Sequence, residues 1–152
     1  MKGMYQFIRA AWKKPDVETL RARMTEWRQE GTFTVVDKPL RLDRARSLGY
    51  KAKKGVIIVR VKVPRGGHKK MRPNKGRRSK RLTNRLSLKM NYKWIGEMRV
   101  AKQFKNLEIL NSYQVGKDGV NYFFEVICID PQMPEIKADK ELSFLTKNQS
   151  EL

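Results

Sequence analysis

Apolar residues near the amino end recur at helical spacing. Met4, Ile8 and Ala11, with Trp12 beside them, predict a first helix that Lys13-Lys14-Pro15 ends. Asp16 stands where an N-cap belongs. Val17, Leu20, Met24 and Trp27 then make one stripe of a second helix, stopped by Gly31. The β-branched run 32–36 predicts a strand closed by Pro39, and residues 41–48 a short helix with Gly49 after its end. Residues 55–63 are apolar at the odd positions, while the even ones turn basic at Arg60 and Lys62. That pattern gives a strand with one buried face and one face that becomes cationic.

Helical period returns over 92–104, where Trp94, Met98, Ala101 and Phe104 share a face with Ile95 alongside, and Gly96 weakens the helix. Two strands follow, 107–115 and 120–129, joined by the hairpin signal Gly116-Lys117-Asp118-Gly119. The second is apolar on both faces: Val120, Tyr122, Phe124, Val126 and Cys128 on one, Phe123, Ile127 and Ile129 on the other. It reads as a central strand covered on both sides. Pro131 and Pro134 end it. A polar, acidic tail runs over 132–152, and its last five residues are expected to be mobile. The order predicts an α+β fold, a small and mostly antiparallel sheet with packed helices, from which an extended basic excursion leaves between a strand and a helix. A length of 152 residues fits one such domain with extensions.

Charge changes this picture most. Residues 64–90 hold eleven Lys or Arg, no Asp or Glu, and no Phe, Trp or Tyr. The acid-free zone runs from Arg44 to Gly96 with nineteen Lys or Arg, so nearly all of the formal net charge of +20 sits in about a third of the chain. Such a segment cannot offset the entropy of its own ordering and needs a polyanion to be structured. Each cation placed on a phosphate releases condensed counterions, and arginine adds a forked contact. The candidate contacts include Arg44, Arg46, Arg60, Lys80, Arg81 and Arg85. His68 reads either as a contact to RNA or as a solvated loop residue. The missing aromatics between Lys51 and Asn91 argue for recognition of backbone and shape rather than stacking on bases. The organisation expected is 1–30 as amino-terminal helices, 31–131 as an α+β RNA-binding domain carrying the extended segment 64–90, and 132–152 as a carboxyl-terminal tail.

Little else in the chain carries chemistry. One His leaves no imidazole pair, and the lone Cys128 lies in an apolar strand, where burial is the ordinary outcome. A single Cys excludes an intramolecular disulfide and a Cys-based zinc site. The carboxylates are scattered, and the Gly- and Lys-rich stretch from Gly66 lacks the phosphate-loop spacing. No enzyme, cofactor, metal or small-molecule substrate is expected. No apolar run of seven follows Lys2, and none spans a bilayer, so neither a secretory signal nor a membrane partner is expected. The chain reads as soluble and intracellular.

Four separated motifs then carry a resemblance: RLDRARSLGYKAKKG at 41–55, the Gly-Gly and basic run from 65, NLEILNSYQVGKDG at 106–119 and FFEVICIDP at 123–131. With Tyr5, Ala11-Trp12 and Glu26-Trp27-Arg28, they are similar to large-subunit ribosomal protein fifteen of the archaeal and eukaryotic "e" type, in its archaeal members. The resemblance implies a structural constituent of the large ribosomal subunit in the cytoplasm. Its partners would be large-subunit rRNA and neighbouring large-subunit proteins. It also implies RNA contacts at Lys51, Lys53, Lys54, Arg65, Lys69, Lys70, Arg72, Lys75, Arg77 and Arg78, and favours a structural role for Asn111, Ser112 and Tyr113. Two departures stand out. Gln114 occupies a place where members commonly carry Trp, and the sequence ends at NQSEL where members continue into a basic tail, whose RNA contacts are expected to be missing or supplied by a neighbour. The rival from the residues alone is a free protein that binds or compacts DNA or RNA.

The composition of 64–90 generates a first prediction. In the RNA-free protein, trypsin should cut within this segment before any other part of the chain, as read by mass spectrometry of early fragments. Resistance of the segment in the free protein would count against an ordering that depends on a polyanion.

Overall fold

The computed structural model describes residues 3–66, 75–77 and 88–147. The expectation that 64–90 is disordered without RNA falls largely outside the described residues, as does the mobility of 148–152. Six helices and four strands occur among the described residues. The helices are α1 (Met4–Lys13), α2 (Val17–Gln29), α3 (Leu42–Ser47), α4 (Tyr92–Gln103), α5 (Pro134–Lys137) and α6 (Phe144–Lys147). The strands are β1 (Phe33–Val36), β2 (Val56–Pro64), β3 (Glu108–Lys117) and β4 (Asn121–Ile129). They form one sheet of order β1-β2-β4-β3, and every pairing is antiparallel. The α+β class and the antiparallel sheet are as the sequence predicts.

β4 lies inside the sheet, and both its faces are covered. Its register with β2 sets Val59 opposite Val126 and Arg60 opposite Glu125. One face carries Val59, Val61, Val63, Phe124, Val126 and Cys128 against α4. The other carries Ile58, Phe123 and Ile127 against Met24 and Trp27 of α2 and Ala45 of α3. Full burial of each Val, Ile or Phe side chain contributes roughly 1.5–3 kcal/mol, so this two-sided strand concentrates much of the available stabilisation. Burial also pushes the Cys128 thiol up to about 12, as befits an inert core cysteine.

Local signals set the helices. Asp16 caps α2 by accepting the Thr19 N–H at 2.9 Å and its hydroxyl at 2.6 Å, which holds the Asp16 carboxyl below its ordinary range. Met24 and Trp27 are buried as the stripe requires, whereas Val17, in the first turn of α2, is exposed. The hairpin between β3 and β4 is closed by Asp118, whose Oδ1 accepts the N–H groups of Val120 and Asn121.

Helix α4 corrects the sequence reading. Trp94, Met98 and Ala101 do not face the sheet; all three are exposed. The sheet-facing stripe is instead Tyr92, Ile95, Gly96, Val100 and Phe104. Gly96 is the reason. A Cβ there would lie 3.1 Å from Val61 Cγ1 and 3.6 Å from Val63 Cγ2, so the glycine brings the helix backbone down onto the valines of β2. Counted as a weak point in a helix, it is the point of closest approach.

The segment after β4 is packed onto the fold rather than trailing from it. Ile136 and Leu142 are buried against Ile129, with Val56 and Leu110 alongside. Gly55, at φ 86°, lies beneath them: an added Cβ would come within 2.8 Å of Ile136 Cγ1. The missing Cβ of this glycine therefore makes room for the carboxyl-terminal segment, and its positive φ is one that glycine adopts without strain.

A polar cluster sits inside the α2/α3 face. Glu125 is fully buried; its Oε2 accepts the Tyr113 hydroxyl at 2.6 Å and the Leu40 N–H at 3.1 Å. Arg60 approaches its other oxygen at 4.0 Å, pairs with Glu30 at 3.0 Å, and stacks over Trp27 at 4.7 Å. Burial raises the carboxyl of Glu125, and burial beside that carboxyl raises the Tyr113 hydroxyl. Glu125→Ala should destabilise the protein by about 3–5 kcal/mol in urea denaturation, because the Tyr113 hydroxyl and the Leu40 N–H lose their acceptor and Arg60 loses a nearby opposite charge. Glu125→Gln keeps an acceptor for Tyr113 and should cost clearly less; equal losses would show that the cluster acts by packing alone.

Candidate nucleic-acid interface

The basic residues separate into groups that their sequence positions do not reveal. Arg60 and Lys62, on the cationic face of β2, are turned to the fold's own acceptors. Arg60 is held by Glu30, and the Lys62 ammonium donates to the carbonyls of Arg28 at 3.1 Å and Glu30 at 2.8 Å. Arg65, at the end of β2, stacks over Tyr122 at 5.0 Å and donates to the Asp118 carbonyl.

Lys51 and Lys53 lie in the loop between α3 and β2. Both ammonium groups reach the buried carboxylate of Asp139, at 3.3 Å and 2.5 Å, and Lys51 also meets Glu141 at 2.7 Å. The Glu141 contact, then Asp139, raises the Lys51 ammonium, while the Lys53 contact first, with the Glu141 N–H, draws the Asp139 carboxyl down to about 2. Lys54 beside them is exposed and has no acidic partner among the described residues. The acidic stretch that reads as a tail thus closes over part of the basic loop.

Arg44 and Arg46 project from α3 and are exposed. Arg46 stacks on Tyr5 of α1 at 5.7 Å and hydrogen-bonds its hydroxyl. Lys75 and Arg77 are exposed; His68, Lys69, Lys70, Arg72, Arg78, Lys80, Arg81 and Arg85 lie outside the described residues. Asn111, Ser112 and Tyr113 are engaged within the fold. Asn111 accepts Lys93 at 2.7 Å, Ser112 donates to Glu97 at 2.6 Å, and Tyr113 donates to Glu125.

A groove that the sequence does not announce lies where α1, α3, α4 and the edge strand β3 meet, with a volume of about 750 Å³. Arg9 and Lys13 of α1, Arg41 and Arg44 at α3, and Lys93 of α4 line it, with Trp12, exposed Gln114 and one acid, Asp43. Arg41 lies over the Trp12 ring at 5.1 Å, and Arg9 approaches buried Asp43 at 3.6 Å. Arg9, Lys13 and Arg41 fall outside the acid-free zone, and Lys93 inside it gives no signal of its own, so charge counting along the chain does not single out the cluster. The stretch from Lys51 to Asn91 has no aromatic residue, and here α1 supplies Trp12. Among the described residues no three His, Cys, Asp or Glu side chains converge as a metal site, and no helix is long and apolar enough to cross a membrane.

The Asp139 contacts make stability pH-dependent. A carboxyl whose pKa falls on folding adds stability above its unfolded value, near 3.9, and loses it as the pH falls through the folded value. Asp139→Asn should therefore unfold at lower temperature than the parent at neutral pH, with the two melting temperatures converging as the pH falls from about 4 to about 2. A difference that stays constant over this range would remove the ion pairs as its cause.

The chain is similar to known proteins over nearly its whole length. The large ribosomal subunit protein eL15 of Methanocella arvoryzae is 45% identical over 152 residues, covering 97% of this chain and 78% of its own. The protein of the same name from Methanospirillum hungatei JF-1 is 46% identical over 151 residues, covering 96% and 77%. The profile of the family described as Ribosomal L15, of the L15e type, matches residues 3–151. With that match along its whole described fold, the chain belongs to the ribosomal L15e family.

Proposed function

We propose that this protein is a structural constituent of the large ribosomal subunit that binds and stabilises large-subunit rRNA, without catalysis of its own. Its place is then the ribosome in the cytoplasm, among neighbouring large-subunit proteins. The observation that carries the reading is the division of labour among charges. Acids outside the basic zone, namely Glu30, Asp118, Glu125, Asp139 and Glu141, pair with or approach cations that folding brings against them. The acid-free zone of nineteen Lys or Arg remains in large excess over such partners. That surplus needs a dense polyanion, and folded RNA offers phosphates at the required density.

In this reading residues 1–30 form the helical entry, 31–131 the RNA-binding domain with its basic segment 64–90, and 132–152 a carboxyl-terminal extension. The contacts it assigns are the exposed cations Arg44, Arg46, Lys54, Lys75 and Arg77, Arg65 at the root of the segment, and the segment's residues His68, Lys69, Lys70, Arg72, Arg78, Lys80, Arg81 and Arg85. Lys51, Lys53 and Arg60 act on RNA through the loop and strand they hold, since their charges already have partners.

Sedimentation of a cell lysate, with the protein followed by mass spectrometry, tests this reading. One copy should travel with each large subunit and survive moderate salt. Recovery at the top of the gradient, or with DNA, would leave the free nucleic-acid-binding protein as the better reading.

A further inference from the structure

We propose that the groove between α1, α3 and the β3 edge is a pocket for a single unstacked nucleotide, its base against Trp12 and Arg41 and its phosphate on Lys13 and Arg44. The proposal rests on the RNA-binding reading and names a subsite of it, built from residues other than those of the basic segment 64–90.

Three features select this ligand. The first is size and charge. A volume of about 750 Å³ with five cationic side chains and one acid suits a compact anion and not a duplex. Arg9 is turned to Asp43, and Lys93 to Asn111 and Glu97, but Lys13 and Arg44 are exposed and have no acidic partner among the described residues. They are the two cations free to take a phosphate.

The second is the flat pair at its centre. The indole of Trp12 carries the Arg41 guanidinium over its face at 5.1 Å, and when that guanidinium turns aside to donate in its own plane the face takes a base, whatever its identity. A base within a helix is already stacked and cannot reach it, so an unpaired nucleotide is required.

The third is a mismatch in hydrogen bonding. Asp43 Oδ1, an acceptor, and Arg41 Nε, a donor, are both buried without partners. The edge of a base presents donors and acceptors together and can complete both. A sulfate or an ionised carboxylate side chain has only acceptors to offer, and any small anion meets repulsion at Asp43. Arg41 is loosely tied, its hydrogen bond to the Gln114 carbonyl being 3.5 Å long, so it can turn to admit a base edge.

The test uses the full chain bound to a full-length large-subunit rRNA transcript, crosslinked with ultraviolet light, digested with nuclease and analysed by mass spectrometry. The expected result is a nucleotide adduct on Trp12. The exposed-site variant Lys13→Ala/Arg44→Ala should lose that adduct, bind several-fold more weakly and show a log–log salt slope shallower by about 1, for the one phosphate the two cations share. Lys69→Ala/Lys70→Ala should also bind more weakly but keep the adduct. Binding at parental strength and slope by Lys13→Ala/Arg44→Ala, with adducts confined to other peptides, would overturn the pocket while leaving RNA binding intact. Absence of binding by the parent chain would overturn both readings.

Discussion

Everything described depends on one strand being buried on both faces. β4 pairs with β2 on one side and β3 on the other, and its side chains alternate into two separate cores. A strand so placed must be apolar at nearly every position, which is why the run from Phe123 to Ile129 tolerates a single charge. That charge, Glu125, is held by a tyrosine hydroxyl, a backbone N–H and a nearby guanidinium. A buried carboxylate with one free oxygen is a weak source of stability. It is better understood as a fixed point that ties β3, β4, the Leu40 loop and, through Arg60, the end of α2 to one register.

Around this frame the acids divide the cations into those used by the fold and those left over. Where a cation lies against the protein, an acid, a carbonyl or a ring meets it: Glu30 and Glu125 near Arg60, Asp139 and Glu141 on the 51–53 loop, Asp43 on Arg9, two carbonyls on Lys62 and Tyr122 under Arg65. Where no such partner meets it, as at Arg44 and Lys54, the cation stays at the surface with its hydration and its counterions, available for exchange against phosphate. The same chain thus ties down the cations its fold covers and keeps a concentrated positive field at its surface.

Several features were legible without the structure. The Asp16 cap, the β3–β4 hairpin and the covered central strand follow from short-range rules, since a cap, a tight turn and a strand's alternation are each decided within a few residues. The face of α4 was not legible. Trp94 and Met98 are as apolar as Ile95 and Val100, so two stripes compete along that helix, and only the approach allowed by Gly96 to Val61 selects between them. Likewise Ile136 and Leu142 stand too far apart in a polar stretch to make a periodic signal, yet they find the same small core.

The candidate site divides in the same way. The sequence by itself determined that a long acid-free run exists, that its stretch from Lys51 to Asn91 lacks aromatics, and that the rest of the chain is nearly neutral, because these are sums over composition and need no geometry. Only the tertiary structure decided which cations remain free and which neighbours they acquire. Lys51 and Asp139 are eighty-eight residues apart and Lys93 lies far along the chain from Arg9, yet the first two form an ion pair and the second two line one groove. Coulomb attraction and stacking act over a few ångströms of space rather than along the chain. Which charges meet therefore follows from how helices α1 and α3 and the carboxyl-terminal segment pack on the sheet.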